Sequence, residues 1–318
     1  MTSQEKVKQL RDITAARLQP MIDNDYVLLD LPYHSNVGDV LIWQGTLDFL
    51  SSLPYSCLSQ KTYYTDHFET IPHHAILLLH GGGNFGDVWR EHQEYRLEVI
   101  RKYPDHKIIM LPQSVQYNSE ELLKEDAKQF ARHTNVTICA RDNYSYDLLS
   151  RHFKNKVILV PDMAFSIHPL RFKSYTSKPS SVLVKRTDLE SKNTLLNFEI
   201  KEPFDTTDWP AMTTRSCLSF IMAKLYAVSR RIKLLPIRKG INRVIDRYAY
   251  HIYRNHIFQS GKSFLAPYSK VYSTRLHAAI LSVHYGKEIV FIDNSYGKNS
   301  RFYDTWFSDL STIKMIRS

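Results

Sequence analysis

The chain is poor in cysteine and lacks any long apolar run. Cys57, Cys139 and Cys217 are its only cysteines, scattered and without a C-x-x-C spacing, which argues against a disulfide framework or a zinc site. No stretch is long and apolar enough to span a bilayer. The charged segment 1–20 lacks the apolar core of a secretory signal, so the cytoplasm is the expected compartment. Neither a G-x-G-x-x-G nor a P-loop spacing occurs. Zinc-finger and RNP-type signatures, internal repeats and low-complexity segments are also lacking. No metal or cofactor site is expected.

What is present is positive charge. The 318 residues carry 42 Lys+Arg against 32 Asp+Glu, a formal net charge of +10 and a pI near 9.3. At 43% hydrophobic and 23% charged the chain reads as a globular protein, long enough for two domains. Without a nucleic-acid module, the basic balance points to anionic small molecules or an anionic membrane surface, and no nucleic-acid partner is expected. The densest basic stretch, 230–254, interleaves Tyr248, Tyr250 and Tyr253 with His251 and His256. It reads as a solvated helix face, or as a peripheral contact with the inner face of the cell membrane.

Strand-like and helix-like segments alternate through the first half. Strands are expected at 26–31, 75–79, 107–111, 136–140 and 157–160, with helices at 39–50, 87–101, 120–133 and 143–152. This rhythm predicts a doubly wound parallel sheet. The pattern breaks at 161–179. The expected organisation is an N-terminal Rossmann-like domain over 1–165, a linker over 166–180, and a C-terminal Rossmann-like domain with a helical insert over 181–318. In the latter, strands are expected at 181–185 and 288–292 and helices at 215–232, 241–259 and 275–285; 190–211 gives little signal. The fold class is α/β, two Rossmann-like units facing across a cleft, with ligands at the carboxyl ends of strands.

Polar residues gather at those strand ends. Tyr272-Ser273-Thr274-Arg275-Leu276-His277 leads into an amphipathic run with Ser273 or Thr274 as N-cap. Arg275, Leu276 and His277 then fill a first turn whose backbone N–H groups favour anions. Arg275 adds a fork for carboxylate or phosphate and His277 a proton carrier. His80-Gly81-Gly82-Gly83-Asn84-Phe85-Gly86-Asp87 follows one apolar run, its glycines forming a tight turn or letting backbone N–H groups approach a ligand, and Asp87 capping the next helix. Arg141-Asp142 and Pro161-Asp162 read as turns and caps. Arg186-Thr187-Asp188-Leu189-Glu190 brings a cation and two carboxylates. Asn294, Ser295, Tyr296 and Lys298 after the last strand form a polar turn or complete an anion pocket.

Taken in order, Asn36-Val37-Gly38-Asp39, Gly81 to Asp87, Leu111-Pro112-Gln113-Ser114, Pro161-Asp162-Met163-Ala164, Arg186-Thr187-Asp188, Arg275-Leu276-His277 and Asp293 to Lys298 resemble the polysaccharide pyruvyl transferase family, and within it the exopolysaccharide pyruvyl transferases of bacterial biofilm operons. The resemblance implies a glycosyltransferase-B-like fold. It also implies transfer of pyruvate from phosphoenolpyruvate, as co-substrate, to a sugar of an exopolysaccharide or its lipid-linked precursor, as a ketal. The family's phosphoenolpyruvate site carries over to Arg275, the backbone N–H of Leu276, and His277, with Arg186 as a further arginine. On this reading His277 is the general acid or a phosphate ligand, and Asp188 or Glu190 is the base. Arg275, Arg186 and Lys298 neutralise phosphate. The acceptor is expected to enter past Asn36, Asp39, Gly82, Gly83, Asn84 and Gln113. The alternatives are a nucleotide-sugar glycosyltransferase of the same architecture and a non-catalytic glycan-binding component of a polysaccharide assembly complex.

Overall fold

A computed structural model of the chain describes residues 1–172, 178–187, 204–214, 216–293 and 297–317. The strands are β1 (Tyr26–Leu29), β2 (Cys57–Gln60), β3 (Ile76–Leu79), β4 (Gly82–Gly86), β5 (Ile108–Gln116), β6 (Val136–Ala140), β7 (Lys156–Leu159), β8 (Lys178–Val184), β9 (Phe204–Thr207), β10 (Tyr268–Ser273), β11 (Glu288–Ile292) and β12 (Ile313–Ile316). The helices are α1 (Ser3–Leu18), α2 (Val37–Leu50), α3 (Arg90–Lys102), α4 (Glu120–Phe130), α5 (Asn143–His152), α6 (Pro210–Thr213), α7 (Cys217–Arg231), α8 (Leu235–Tyr248), α9 (Arg254–Leu265), α10 (Leu276–His284) and α11 (Lys298–Phe302). A π turn at Ala249–Tyr253 runs α8 into α9.

Two parallel sheets result. The first has the order β2-β1-β3-β5-β6-β7 with β4 alongside β5, and the second β12-β11-β10-β8-β9. β1 and β3 read as unbroken apolar runs because both faces are covered. Tyr26, Leu28, Ile76 and Leu78 face a core that continues through α2, Trp209, Ile257 and Phe307. Val27, Leu29, Leu77 and Leu79 face the opposite layer with Phe85 and Phe130. That first core is shared by both sheets. The N-terminal helix α1 also leans on the second half, with Lys6 Nζ 2.7 Å from Asp309 Oδ1.

Strand order reverses between β1 and β3 in the first sheet and between β8 and β10 in the second. Chains leave in opposite directions there and open a crevice at the carboxyl ends. Both reversals open onto one cavity of about 360 Å³.

Several local expectations are corrected. The glycine run is not a bare turn: Gly82–Gly86 pairs in parallel with β5. β2, β9 and β12, not expected, add edge strands. β8 begins at Lys178, inside the segment expected as linker. Asp87 does not cap α3, which starts at Arg90; its carboxylate accepts from the N–H groups of Asn118 and Ser119 ahead of α4. The N-cap of α10 is Arg275, because Ser273 Oγ turns back onto the Arg275 N–H and carbonyl instead of reaching the helix.

Candidate functional site

The second sheet supplies the C-terminal wall of the cavity. β10 ends at Ser273, and the chain turns so that Arg275, Leu276 and His277 stand at the start of α10. Arg275 is buried, gripped through Nε and, at 2.6 Å, Nη2 by Asp208, which also accepts from the N–H and hydroxyl of Thr187 and the N–H of Trp209. The fork is thereby fixed in one orientation, with Arg275 still on the cavity wall. Arg186 follows β8, its N–H held 2.8 Å from Thr274 Oγ1, and lines the same wall.

The first sheet supplies the facing wall. α2 begins at Val37 with Asn36 as N-cap, its Oδ1 accepting from the Gly38 N–H at 3.0 Å and its Nδ2 donating to Asp39 at 2.8 Å. The starts of α2 and α10 abut: a Cβ on Gly38 would lie 2.6 Å from His277 Nδ1, so only glycine admits the imidazole. The positive ends of two helices thus meet at the cavity.

His277 Nε2 lies 3.4 Å from Asp162 Oδ2. Asp162 is fully buried and also accepts from Arg141 Nη1 at 2.7 Å and from the Ala164 N–H. Burial alone would raise its pKa, but His277 and Arg141 outweigh this and hold the carboxyl well below its usual range. Arg141 is oriented further by Ser114 Oγ at 2.9 Å and lines the cavity. Lys298 crosses beneath it, its Nζ filling the space beside Gly83. Burial likewise opposes ionisation of Asp39, yet His34, His277, His80 and Lys298 together keep its carboxyl below the ordinary value.

At the far end stands a second group. His92 Nδ1 is 2.7 Å from Asp30 Oδ1, and Arg96 Nη2 holds the other Asp30 oxygen at 3.0 Å and Asn84 Oδ1 at 2.6 Å. Asp30 is buried at the end of β1 with φ of 60°, a left-handed conformation that a non-glycine residue adopts at a cost. Nδ1 faces Asp30, so Nε2 is the remaining polar atom of His92 on the cavity wall. Tyr63 meets the His92 ring edge-on with centroids 5.0 Å apart, and Tyr64 and Tyr226 extend this aromatic wall.

Of the residues singled out from sequence, Asn36, Asp39, Gly83, Asn84, Arg186, Arg275, Leu276, His277 and Lys298 line this one cavity. Gln113 does not: it is buried and donates to the His80 carbonyl at 2.6 Å. Gly82 lies behind the wall, next to Asp39. Asp188, Glu190, Asn294, Ser295 and Tyr296 lie outside the described residues. Sequence reading missed Arg141, Asp162, Asp208, Asp30 and His92 as site residues. Arg141 and Asp162 carried a signal, since both follow strands, but they read as turn residues. Asp208 carried none, standing 67 positions from the arginine it fixes.

The model of the family described as polysaccharide pyruvyl transferase matches residues 36–296. A Bacillus subtilis protein, provisionally named pyruvyl transferase EpsO, is 31% identical over 300 residues, covering 92% of this chain and 89% of that protein. Pyruvyl transferase 1 of Schizosaccharomyces pombe is 29% identical over 295 residues, covering 88% of this chain and 69% of that one. A crystal structure of a functionally uncharacterized Klebsiella pneumoniae protein aligns with a TM-score of 0.64 over 97% of this chain and 99% of that chain, at 20% identity, a likeness of fold. The chain therefore belongs to the polysaccharide pyruvyl transferase family.

Proposed function

We propose that the protein transfers pyruvate from phosphoenolpyruvate to two hydroxyls of a sugar in an exopolysaccharide or its lipid-linked precursor, forming a cyclic ketal and releasing phosphate. Family membership supports pyruvyl transfer to a polysaccharide. The observation that carries the donor is the gathering of Arg141, Arg186, Arg275 and Lys298 with His277 and two helix N-termini around one cavity. The donor bears a carboxylate and a phosphate of about −1.5 to −2 charge, and planar forks and helix starts are suited to both. A volume near 360 Å³ falls within the range of small-molecule sites, about 300–1,000 Å³. Two parallel sheets whose strand reversals share a cavity favour a glycosyltransferase-B-like arrangement. The donor then lies on the second-sheet side, the acceptor on the first, and the division between the two units falls ahead of β8.

The reaction begins with a proton delivered to the methylene carbon of phosphoenolpyruvate, which leaves an oxocarbenium-like C2. His277 is the acid, with anionic Asp162 stabilising positive charge on the imidazole. A sugar hydroxyl attacks C2 and gives its proton to a base. The C2–O bond to phosphate then breaks, phosphate departs with the bonding electrons, and the second hydroxyl adds to the oxocarbenium-like C2 so formed, its proton passing to the His277 imidazole left neutral by the first step. Arg275, Arg186, Lys298 and Arg141 hold the charge that collects on the phosphate. We assign the base to His92, which Asp30 orients as in other carboxylate–histidine pairs, in place of Asp188 or Glu190. Tyr63, Tyr64 and Tyr226 offer apolar faces to the sugar ring. Asn36, Asp39 and Asn84 supply hydrogen bonds.

The test is incubation with phosphoenolpyruvate and a panel of glycosides, following phosphate and glycan mass. The expected product is a glycan heavier by one pyruvyl ketal. Loss of turnover in His277→Ala and His92→Gln, with phosphoenolpyruvate still protecting both variants against unfolding, supports the assigned roles. Retention of a nucleotide sugar, without product or protection from phosphoenolpyruvate, would favour the glycosyltransferase reading instead.

A further inference from the structure

The most unusual surface lies away from the cavity's charged end, on the antiparallel pair α7 and α8. Phe220, Ile221 and Val228 on α7, Leu234 and Leu235 at the junction, and Ile237 and Val244 on α8 are all exposed, Leu234 to 65%. On α7 the positions 220, 221, 224, 228 and 231 share one helix face, and on α8 the positions 237, 240, 244 and 247 do so. Both faces point away from the body of the protein, because both helices use their other sides against the same loop. Tyr226 and Arg230 of α7 rest on Tyr64, while Asn242 and Asp246 of α8 bond Thr65 and His67. A patch of this kind rimmed by charge marks an interaction surface rather than ordinary exposure.

Charge identifies the partner. Between Asp208 and Glu288 the sequence has one acidic residue, Asp246, and that one is turned inward toward Lys61 Nζ at 3.3 Å. Lys224, Arg231, Lys233, Arg243 and Arg247 are exposed among the aliphatic side chains. Leucines and isoleucines interleaved with exposed lysines and arginines, none of them within ion-pair distance of a carboxylate among the described residues, match a lipid surface, whose apolar boundary accepts the former and whose anionic headgroups accept the latter. The tyrosines of 248–253, which the sequence left open as part of a membrane contact or of a solvated helix face, are taken up by packing within the protein. Tyr253 is buried, Tyr248 stacks against it, and Tyr250 lies under the Arg254 guanidinium, so the apolar contribution comes from the aliphatic tip. Among the described residues no helix is long and apolar enough to cross a membrane, and the patch is suited to lie on one.

The geometry points to the α7–α8 pair as a docking surface for an anionic lipid bilayer. The same pair walls the cavity through Tyr226, and Met212 just before it lines the cavity as well, so docking brings the aromatic end of the cavity to the bilayer. That the acceptor is thereby a lipid-borne sugar rests on the pyruvyl-transfer reading; the docking does not.

The experiment is cosedimentation of the full chain with vesicles of phosphatidylglycerol and phosphatidylcholine, and with phosphatidylcholine alone. Preferential binding to the anionic vesicles, weakened by salt, is expected. Arg231→Glu, Lys233→Glu and Arg243→Glu combined should lower partitioning by at least about a hundredfold, taking the loss of each cation at the surface as roughly a factor of five. Leu234→Ser, Leu235→Ser and Ile237→Ser combined should weaken binding to the same vesicles at high salt, where the electrostatic part is screened. Unchanged thermal unfolding and phosphoenolpyruvate protection would show that both variants are folded. Equal binding of wild type to both vesicle types, or variants that bind like wild type, would overturn the proposal. So would sedimentation showing a wild-type dimer that does not bind vesicles and that the serine variant splits, since the patch would then be covered by a second copy. Failure of pyruvyl transfer with vesicle binding intact would strike the function and leave the docking surface standing.

Discussion

At the scale of single residues the cavity depends on buried charges paired with fixed partners. Asp208 and Arg275 are the clearest case, both excluded from water. Removing one partner of such a pair leaves a buried charge without its counterion, a loss of about 3–5 kcal/mol. Asp208→Asn should therefore destabilise the protein by about that amount in urea titrations, and the surviving folded fraction should bind phosphoenolpyruvate poorly because the fork is no longer aimed. An unchanged unfolding midpoint would show that the pairing does not matter for stability. His80, directly after β3, is buried, its imidazole nitrogens without a hydrogen-bond partner among the described residues. Burial pushes its pKa down to about 4 from 6.5. A base whose folded-state pKa is depressed takes up its proton more readily when unfolded, so stability is complete above pH 6.5 and is lost as pH falls toward 4. The loss from this residue is about 3 kcal/mol over that window. His80→Gln should flatten the slope of unfolding free energy against pH between 6.5 and 4, and an unaltered slope would assign the acid sensitivity elsewhere.

At the scale of elements, two helix starts meet at the cavity, and each is held differently. α2 has a side-chain cap, Asn36, whereas α10 begins at Arg275 without one. An Asn cap contributes about 0.5–2 kcal/mol. Asn36→Ala should lower stability by about 1 kcal/mol in chemical denaturation, and Asn36→Asp should restore most of it, since aspartate caps equally well; equal loss in both would mean that Asn36 acts through Asp39 instead. The strands not foreseen explain themselves at this scale too. β2, β9 and β12 are edge strands and β4 flanks β5, so none needs the continuous apolar run that made β1, β3, β6 and β11 visible. Gly-Gly-Asn-Phe-Gly has no strand signature of its own and pairs because β5 runs on past the end of β3, leaving Gln113–Gln116 open to it.

At the scale of the whole molecule, the site exists because two sheets share a core and point their strand reversals at the same space. Arg141 comes from one sheet and Arg275 from the other. A ligand held by both should stabilise the protein as one unit, by about 2.7 kcal/mol at a concentration a hundred times its dissociation constant. Thermal unfolding with and without phosphoenolpyruvate should show this protection in wild type and its loss in both Arg141→Ala and Arg275→Ala. Protection that survives Arg141→Ala would place the donor on the second sheet alone.

The α/β class, the alternation of the first half and the place of Arg275-Leu276-His277 at a helix start were legible in the sequence, because hydrophobic period, helix-start chemistry and residue type are local properties. The pairings Asp208 with Arg275, Asp30 with His92, and Asp162 with His277 were not, because each joins residues more than 60 positions apart. Nor was the inward turn of Gln113, or of Tyr253, since a side chain's direction follows from what packs around it. Tertiary structure decided which of the strand-end residues share a cavity, which were drawn into the core, and which helix faces were left for a partner, because only folding fixes the neighbours against which each charge and apolar surface is stabilised.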